Sequence, residues 1–207
     1  MAVSFDLFGT LVEADRPDEP AVAIARELRE RGVEPPADWQ SVYWTRHIDT
    51  PEGAELTLSA HVVAALSSQG IEAPADRVER AVLEAFSPVV ETRPTAVEAV
   101  ETAARAGPVA VCSNCSIPGL VERAIANSAV DAENFDVIVS SADCGWRKPH
   151  PEAFERLATQ LGVPIERVTH IGDTPEADGG IEALGGTAVI LDNDTPLLRT
   201  VERFAER

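Results

Sequence analysis

Five short apolar runs along the chain constrain its fold more than any other feature of the sequence. Each run is rich in Val, Ile, Phe, Ala or Leu and stops at Gly, Ser, Asn or Asp. The runs occupy residues 3–8, 109–112, 135–139, 168–171 and 187–191. Short and nearly continuous apolar runs of this kind are typical of strands buried on both faces of a parallel sheet. We therefore expect five parallel strands.

Helical patterns separate most of these runs. They occupy residues 95–106, 117–127, 151–161 and 176–184. Pro118, Pro151 and Pro175 lie near the predicted starts of three of them, where a helix does not need the missing N–H. Strands that alternate with helices predict an α/β fold, a Rossmann-like, doubly wound parallel sheet. Such sheets place their binding sites at the carboxyl ends of the strands.

Residues 14–92 interrupt this alternation. Four helical patterns follow one another there, at residues 22–31, 38–47, 56–68 and 76–86, separated by Gly and Pro. We therefore expect residues 1–13 and 93–207 to form the α/β core. Residues 14–92 are expected to form an inserted, all-helical cap above the carboxyl edge of the sheet.

The charge of the chain excludes several classes of partner. The 207 residues include 35 acidic and 17 basic side chains, for a formal charge of −18. Binding to nucleic acid or to an anionic membrane needs Lys and Arg facing phosphates, so neither is expected. No apolar run reaches the ~18 residues that a membrane span needs, and three cysteines do not make a disulfide framework. We expect a cytoplasmic protein, monomeric or homodimeric, that acts on a small anionic substrate.

Lysine occurs only once in the sequence. Of the 17 basic residues, 16 are Arg and one is Lys148. An acidic chain of this composition suits a cytosol of high salt, where screening relieves the repulsion between carboxylates. A solvated surface lysine is the common case, but here Arg serves wherever a generic cation is sufficient. We interpret Lys148 as a compact ammonium that a guanidinium cannot replace.

Chemically active side chains cluster just after the predicted strands. Asp6 ends the first strand, Ser113 and Asn114 follow the second, and Asp173 and Asp178 follow the fourth. A carboxylate at the end of a buried strand is costly unless it is paired, ligated or catalytic. Hydroxyl and N–H groups at a helix start bind anions, and paired carboxylates suit Mg²⁺. Taken singly, each motif is also explained by a turn or a helix cap.

In this order along the chain, with Lys148 between Asn114 and Asp173, these motifs resemble those of the haloacid dehalogenase superfamily. Most of its members are phosphohydrolases with an aspartate nucleophile, a Rossmann-like core and a mobile cap. The resemblance implies that Asp6 is the nucleophile and that Lys148 neutralises the charge of Asp6 and of the transition state. Thr10 and Ser113 would hold the transferring group.

The same resemblance implies a magnesium site and contacts with the substrate. Asp6, Asp173 and the backbone carbonyl of Phe8 would bind Mg²⁺, and Asp178 would orient Lys148 or a metal-bound water. The remaining residues expected to contact the substrate are Asn114, Phe8, Gly9 and Arg46.

Phe8 departs from the pattern of the phosphohydrolases. They usually carry a second aspartate at this position as general acid and base, which typically contributes ~10²–10⁴-fold in rate. Phe8 transfers no proton, so alkyl phosphates are expected to be poor substrates, whereas acyl phosphates and phosphoanhydrides need little protonation.

The dehalogenases of the superfamily also carry an aromatic residue at this position, because a departing halide needs no proton. In that alternative, Arg46 is the arginine that contacts the substrate. Asp173 favours Mg²⁺ and phosphoryl transfer instead, because two carboxylates without a cation between them repel each other.

Two further alternatives come from other classes of protein. A non-catalytic protein that binds a ligand or a partner is disfavoured, because an inactive site has no need of Lys148. The spacing of Cys112 and Cys115 is compatible with a redox pair, or with zinc if Cys144 and His150 join them. Packing of the two cysteines is the simpler interpretation.

Overall fold

The computed structural model describes residues 1–87, 89–192 and 196–205. Its strands are β1 (Ala2–Phe5), β2 (Val12–Ala14), β3 (Val90–Thr92), β4 (Val109–Ser113), β5 (Val137–Ser140), β6 (Val168–Gly172) and β7 (Thr187–Ile190). Five of them form a parallel sheet in the order β5-β4-β1-β6-β7. The parallel α/β sheet expected from the sequence is thus confirmed, with β1 at its centre.

The helices are α1 (Pro20–Glu30), α2 (Trp39–Trp44), α3 (Leu58–Ser68), α4 (Ala75–Ala85), α5 (Ala96–Ala106), α6 (Leu120–Ala126), α7 (Ser141–Cys144), α8 (Pro151–Leu161), α9 (Pro175–Asp178) and α10 (Leu197–Ala205). Helices α5, α6 and α10 cover one face of the sheet, and α8 covers the other. Successive residues of a strand point to opposite faces. Val109 and Val111 therefore join the first core, while Ala110 and Cys112 join the second. None of the helices in the described part is long and apolar enough to cross a membrane.

Two predicted helices of the α/β core differ from the observed ones. The helix expected at 117–127 begins only at Leu120, because Pro118 and Gly119 form a turn before it. The helix expected at 176–184 is one α-turn, α9, followed by a 3₁₀ helix at Gly179–Leu184. A Cβ on Gly180 would lie 2.5 Å from the Cβ of Pro149. This close approach brings the loop that carries Lys148 against the segment after β6.

Four helices, α1 to α4, lie between β2 and β3, in agreement with the predicted helical insertion. The strands β2 and β3 pair antiparallel, with Val12 opposite Thr92 and Ala14 opposite Val90. The sequence analysis missed this ribbon, because strands of three residues carry too little hydrophobic pattern to be recognised. The division into core and cap at residues 14 and 92 stays a prediction.

The inserted segment also pairs with the core at a second place. Ala54 forms an antiparallel bridge with Trp146. The N–H of Glu55 donates to the Gly145 carbonyl at 2.8 Å, and the N–H of Arg147 donates to the Gly53 carbonyl at 2.9 Å. The chain around residue 54 is therefore held beside the loop that leads to Lys148.

Candidate active site

A buried ammonium group lies at the carboxyl edge of the sheet. The Nζ of Lys148 is 2.9 Å from Asp6 Oδ1 and 2.6 Å from Asp178 Oδ1. Its side chain is only 2% exposed. A buried charge is tolerated only when it is paired and hydrogen-bonded, and both conditions are met. The structure thus brings together three of the residues that the sequence analysis singled out.

His170 completes this cluster. Its Nε2 is 3.0 Å from Asp178 Oδ1 and its Nδ1 is 3.0 Å from Ser4 Oγ. Burial, with the nearby charge of Lys148, lowers the pKa of His170 to about 4, so the ring is neutral at pH 7. Asp178 only accepts hydrogen bonds, so the ring proton belongs on Nε2, and Nδ1 accepts from the Ser4 hydroxyl.

The sequence analysis missed the part that His170 plays. The available signal was a histidine in the middle of an apolar strand, eight positions before Asp178. A satisfied core histidine produces the same pattern, so the sequence alone did not separate the two cases.

The charges of the cluster depend on one another. Burial raises the pKa of Asp6, and Lys148 opposes that shift. Burial alone would lower the pKa of Lys148, but Asp6 and Asp178 raise it above its ordinary value. Burial acts to raise the pKa of Asp178 as well, but the hydrogen bond from His170 and the charge of Lys148 hold it far below its ordinary value. Lys148 is therefore charged, and Asp178 is its permanent counter-ion.

The turn after β1 brings Asp173 to the same edge of the sheet. Gly9 has a φ of +88°, and a Cβ there would lie 2.4 Å from Asp173 Oδ2, so only glycine fits. The hydroxyl of Thr10 donates to Asp173 Oδ1 at 3.5 Å. Arg93, which the sequence analysis did not single out, donates to the Gly9 carbonyl. Thr10 is buried and faces Asp173, so the structure places it beside the predicted metal ligand and outside the substrate cavity.

A cavity of about 230 Å³ opens beside Asp6. Its wall includes Ser113, Asn114, Lys148 and Phe8. The Ser113 hydroxyl is buried and has no hydrogen-bond partner within the described part of the chain. A buried polar group without a partner costs ~1–3 kcal/mol. An anion in this cavity would supply the missing partner.

Asn114 lines this cavity and also holds Lys148 in place. Its Nδ2 donates to the Lys148 carbonyl at 2.9 Å, and its Oδ1 accepts from the Lys148 N–H at 2.7 Å. This reciprocal pair joins the end of β4 to the loop before α8. The amide is thereby occupied by the backbone, although the sequence analysis expected it to contact the substrate.

The structure does not bring Arg46 to this cavity. Helix α2 ends at Trp44, before the predicted end at residue 47, and the chain turns outward. Arg46 is 67% exposed and pairs with Asp49 at 3.2 Å. Two other arginines line the cavity, Arg16 and Arg147. Arg16 was missed because it stands in a linker without periodic pattern.

The cysteines show no metal-binding geometry. Cys112 and Cys115 lie in the two different cores, on opposite faces of the sheet. Burial raises the pKa of Cys112 to about 12 and that of Cys115 to about 11, so neither forms the reactive thiolate at pH 7. Within residues 1–87, 89–192 and 196–205, no three His, Cys, Asp or Glu side chains are grouped to hold a metal. We interpret both thiols as packing groups.

Solved structures of similar fold include both dehalogenases and phosphatases. A 2-haloacid dehalogenase from Pseudomonas syringae pv. Tomato DC3000 is 21% identical, with a TM-score of 0.70 over 99% of this chain and 98% of that chain. A predicted phosphoglycolate phosphatase from Haemophilus somnus 129pt is 20% identical, with a TM-score of 0.57 over 96% and 90%. A haloacid dehalogenase family enzyme from Bacteroides thetaiotaomicron, solved with magnesium and inorganic phosphate, is 15% identical, with a TM-score of 0.59 over 94% and 96%. At these identities the similarity shows the fold.

A comparison with curated protein sequences gives no significant match. The sequence does match the model of a protein family, described as haloacid dehalogenase-like hydrolase, over residues 1–184. This match spans β1, all four inserted helices and the segments that carry Asp6, Ser113, Lys148 and Asp173. The chain therefore belongs to the haloacid dehalogenase-like hydrolases.

Proposed function

We propose that this hydrolase is a Mg²⁺-dependent phosphohydrolase with Asp6 as its nucleophile. Its substrates are small phosphorylated molecules whose leaving group departs without a proton. The charge balance around Asp6 is the observation that carries this proposal, and Phe8 defines the class of leaving group.

The site holds more negative than positive charge. Asp6 and Asp178 flank Lys148, and Asp173 lies against the turn that follows Asp6. Asp6, Asp173, Asp178 and Lys148 together leave two formal negative charges, because His170 is neutral.

Two arginines also line the cavity. Glu55 compensates Arg147, and Arg16 offsets one of the two negative charges. The carboxylates would still repel an anionic phosphate, and a bound divalent cation offsets them.

Oxygen atoms of the kind that Mg²⁺ prefers lie at the edge of the sheet where Asp6 follows β1. Mg²⁺ is typically held by one or two carboxylates and keeps other positions for water and substrate oxygens. Asp6 and Asp173 supply the carboxylates, and the Phe8 carbonyl accepts no backbone N–H within the described residues. The bound ion would neutralise charge on the phosphoryl oxygens. The Bacteroides thetaiotaomicron enzyme of similar fold, which holds magnesium and phosphate, agrees with this choice of metal.

The protein's own side chains account for the chemical steps. Lys148 holds Asp6 Oδ1, which leaves Oδ2 to attack phosphorus. The bond from phosphorus to the leaving oxygen breaks, and that oxygen keeps the electron pair. The Ser113 hydroxyl donates to a phosphoryl oxygen, and the charge of Lys148 offsets the negative charge that develops there. Water then attacks phosphorus and the bond from phosphorus to Asp6 Oδ2 breaks. Asp6 is restored as a carboxylate, and both hydrogens of the water leave with the released phosphate.

Phe8 restricts the leaving group. It lines the cavity beside Asp6 and has no proton to donate. An acyl phosphate or a phosphoanhydride releases a stabilised anion, whereas an alkyl phosphate releases an alkoxide that must be protonated. We therefore infer that the substrates belong to the first two classes.

Dehalogenation of a 2-haloacid is the second candidate function. The aromatic wall formed by Phe8 favours it, as does the fold similarity to the Pseudomonas syringae dehalogenase. The excess of carboxylates over Lys148 around Asp6 opposes it, because without a metal they would repel the carboxylate of a haloacid.

The proposed function is tested with two substrates and one variant. We expect the protein to hydrolyse acetyl phosphate with Mg²⁺ and to lose this activity in EDTA. Asp173→Asn should raise the Mg²⁺ concentration needed for half-maximal rate by at least about tenfold, because a ligand charge is lost. Chloride release from 2-chloropropionate in EDTA would establish the dehalogenase instead. Inactivity on both substrates would favour a non-catalytic protein.

Replacing the lysine by another cation tests its role. Lys148→Arg should lower kcat on acetyl phosphate by about 10²–10³-fold, because a planar guanidinium does not fit between Asp6 and Asp178. The matched control is Arg105→Lys, an exposed exchange of the same two cations on α5, which should keep full activity. Equal activity of Lys148→Arg and the control would contradict the mechanism.

Restoring a proton donor tests the inference about Phe8. Phe8→Asp should raise the rate on β-glycerol phosphate by ~10²–10⁴-fold, the usual range for general acid catalysis. Phe8→Leu is the control for the altered volume and should show no gain. If Phe8→Asp hydrolyses the alkyl phosphate no faster than the native chain, the absent acid is not what limits the substrate range.

A further inference from the structure

We propose that a second subsite beside the Asp6 cavity binds another anionic group of the substrate through Arg16. This inference rests on the proposed function and narrows its substrate class. The substrate is then a small phosphorylated molecule with a carboxylate or a second phosphate at its other end.

Two cavities adjoin at the carboxyl edge of the sheet. The larger contains Asp6, and the second, of about 150 Å³, lies on the side of the inserted segment. Four residues line both cavities, namely Phe8, Arg16, Asn114 and Arg147. A molecule bound by its phosphoryl group at Asp6 therefore extends past Phe8 into the second cavity.

The far wall of the second cavity is mostly apolar. Phe86, Ile117 and Leu120 form part of it. A volume of about 150 Å³ corresponds to the space of about five water molecules. This space accommodates a short carbon segment and one small polar group.

Arg147 is held in place by a buried partner. Its Nη1 is 2.6 Å from Glu55 Oε2, and the Glu55 side chain is only 4% exposed. The antiparallel bridge between Ala54 and Trp146 positions both residues. Glu55 therefore compensates the charge of Arg147, which forms a fixed wall between the two cavities.

Arg16 differs from Arg147 in having no such compensation. Within the described residues it makes no hydrogen bond and no ion pair, and it lines both cavities. Asp15 is the one carboxylate in the lining of the second cavity, and it is not paired with Arg16. A guanidinium binds carboxylate or phosphate through two parallel hydrogen bonds. A substrate anion is the partner that fits these free donors.

Binding of stable phosphonates tests this subsite without turnover. Methylphosphonate occupies the Asp6 cavity alone, whereas phosphonoacetate and 3-phosphonopropionate add a carboxylate. The dissociation constants are measured by calorimetry in the presence of Mg²⁺. At least one of phosphonoacetate and 3-phosphonopropionate should bind the native protein about tenfold more tightly than methylphosphonate does, as expected for a charged hydrogen bond. In Arg16→Gln the ratio between the affinity for that carboxylate-bearing ligand and the affinity for methylphosphonate should fall to within about twofold.

The control variant is Arg105→Gln, which removes the same charge from an exposed site on α5. Arg105 precedes the start of β4 and therefore lies at the edge of the sheet opposite the cavities. It should keep the tenfold advantage. If the native protein shows no advantage, or if Arg16→Gln keeps it, the subsite proposal is wrong while the phosphohydrolase proposal stands. If none of the three phosphonates binds, both proposals are overturned.

Discussion

The buried ammonium of Lys148 is the interaction on which the rest of the structure depends. It joins the end of β1, the loop before α8 and the segment after β6, because its partners Asp6 and Asp178 come from the first and the last of these. Breaking a buried ion pair by removing one partner typically costs ~3–5 kcal/mol. The fold therefore has to supply two carboxylates to a single cation, and it does so only at the carboxyl edge of the sheet.

The supporting contacts follow from this requirement. Asn114 binds the backbone of Lys148 with both amide groups, and His170 donates to Asp178 while Ser4 holds its other nitrogen. These contacts hold the ammonium of Lys148 beside Asp6. They also keep Asp178 ionised, so the site carries an excess of negative charge that a divalent cation balances. The proposed metal dependence follows from the same electrostatic arrangement that fixes the position of the lysine.

The sequence predicted the sheet well because its strands are buried on both faces and end at polar residues. The structure brings Asp6, Lys148 and Asp178 together for a related reason. The carboxyl ends of parallel strands meet at one edge of the sheet, whatever the details of packing. The four helices between β2 and β3 were recognised from their apolar spacing.

Other parts of the site depend on register and on loop direction, which the sequence does not encode locally. The contact between Ser4 and His170 needs the pairing of β1 with β6, in which these two residues are opposite each other. Arg46 was expected at the substrate because it followed a helical pattern, but α2 ends at Trp44 and Arg46 points to solvent. Arg16 lines the cavity through the course of a linker with no periodic signal.

The covalent state of Asp6 during turnover tests the account most directly. The protein is mixed with acetyl phosphate and Mg²⁺, quenched in acid within the first turnover, digested and measured by mass spectrometry. The account predicts a phosphoryl group on the peptide that contains Asp6, and none in the inactive variant Asp6→Asn. This variant should still fold, because the amide oxygen of Asn accepts from Lys148 and Asp178 remains as counter-ion. Turnover by Asp6→Asn, or a phosphoryl group on any other residue, would contradict it.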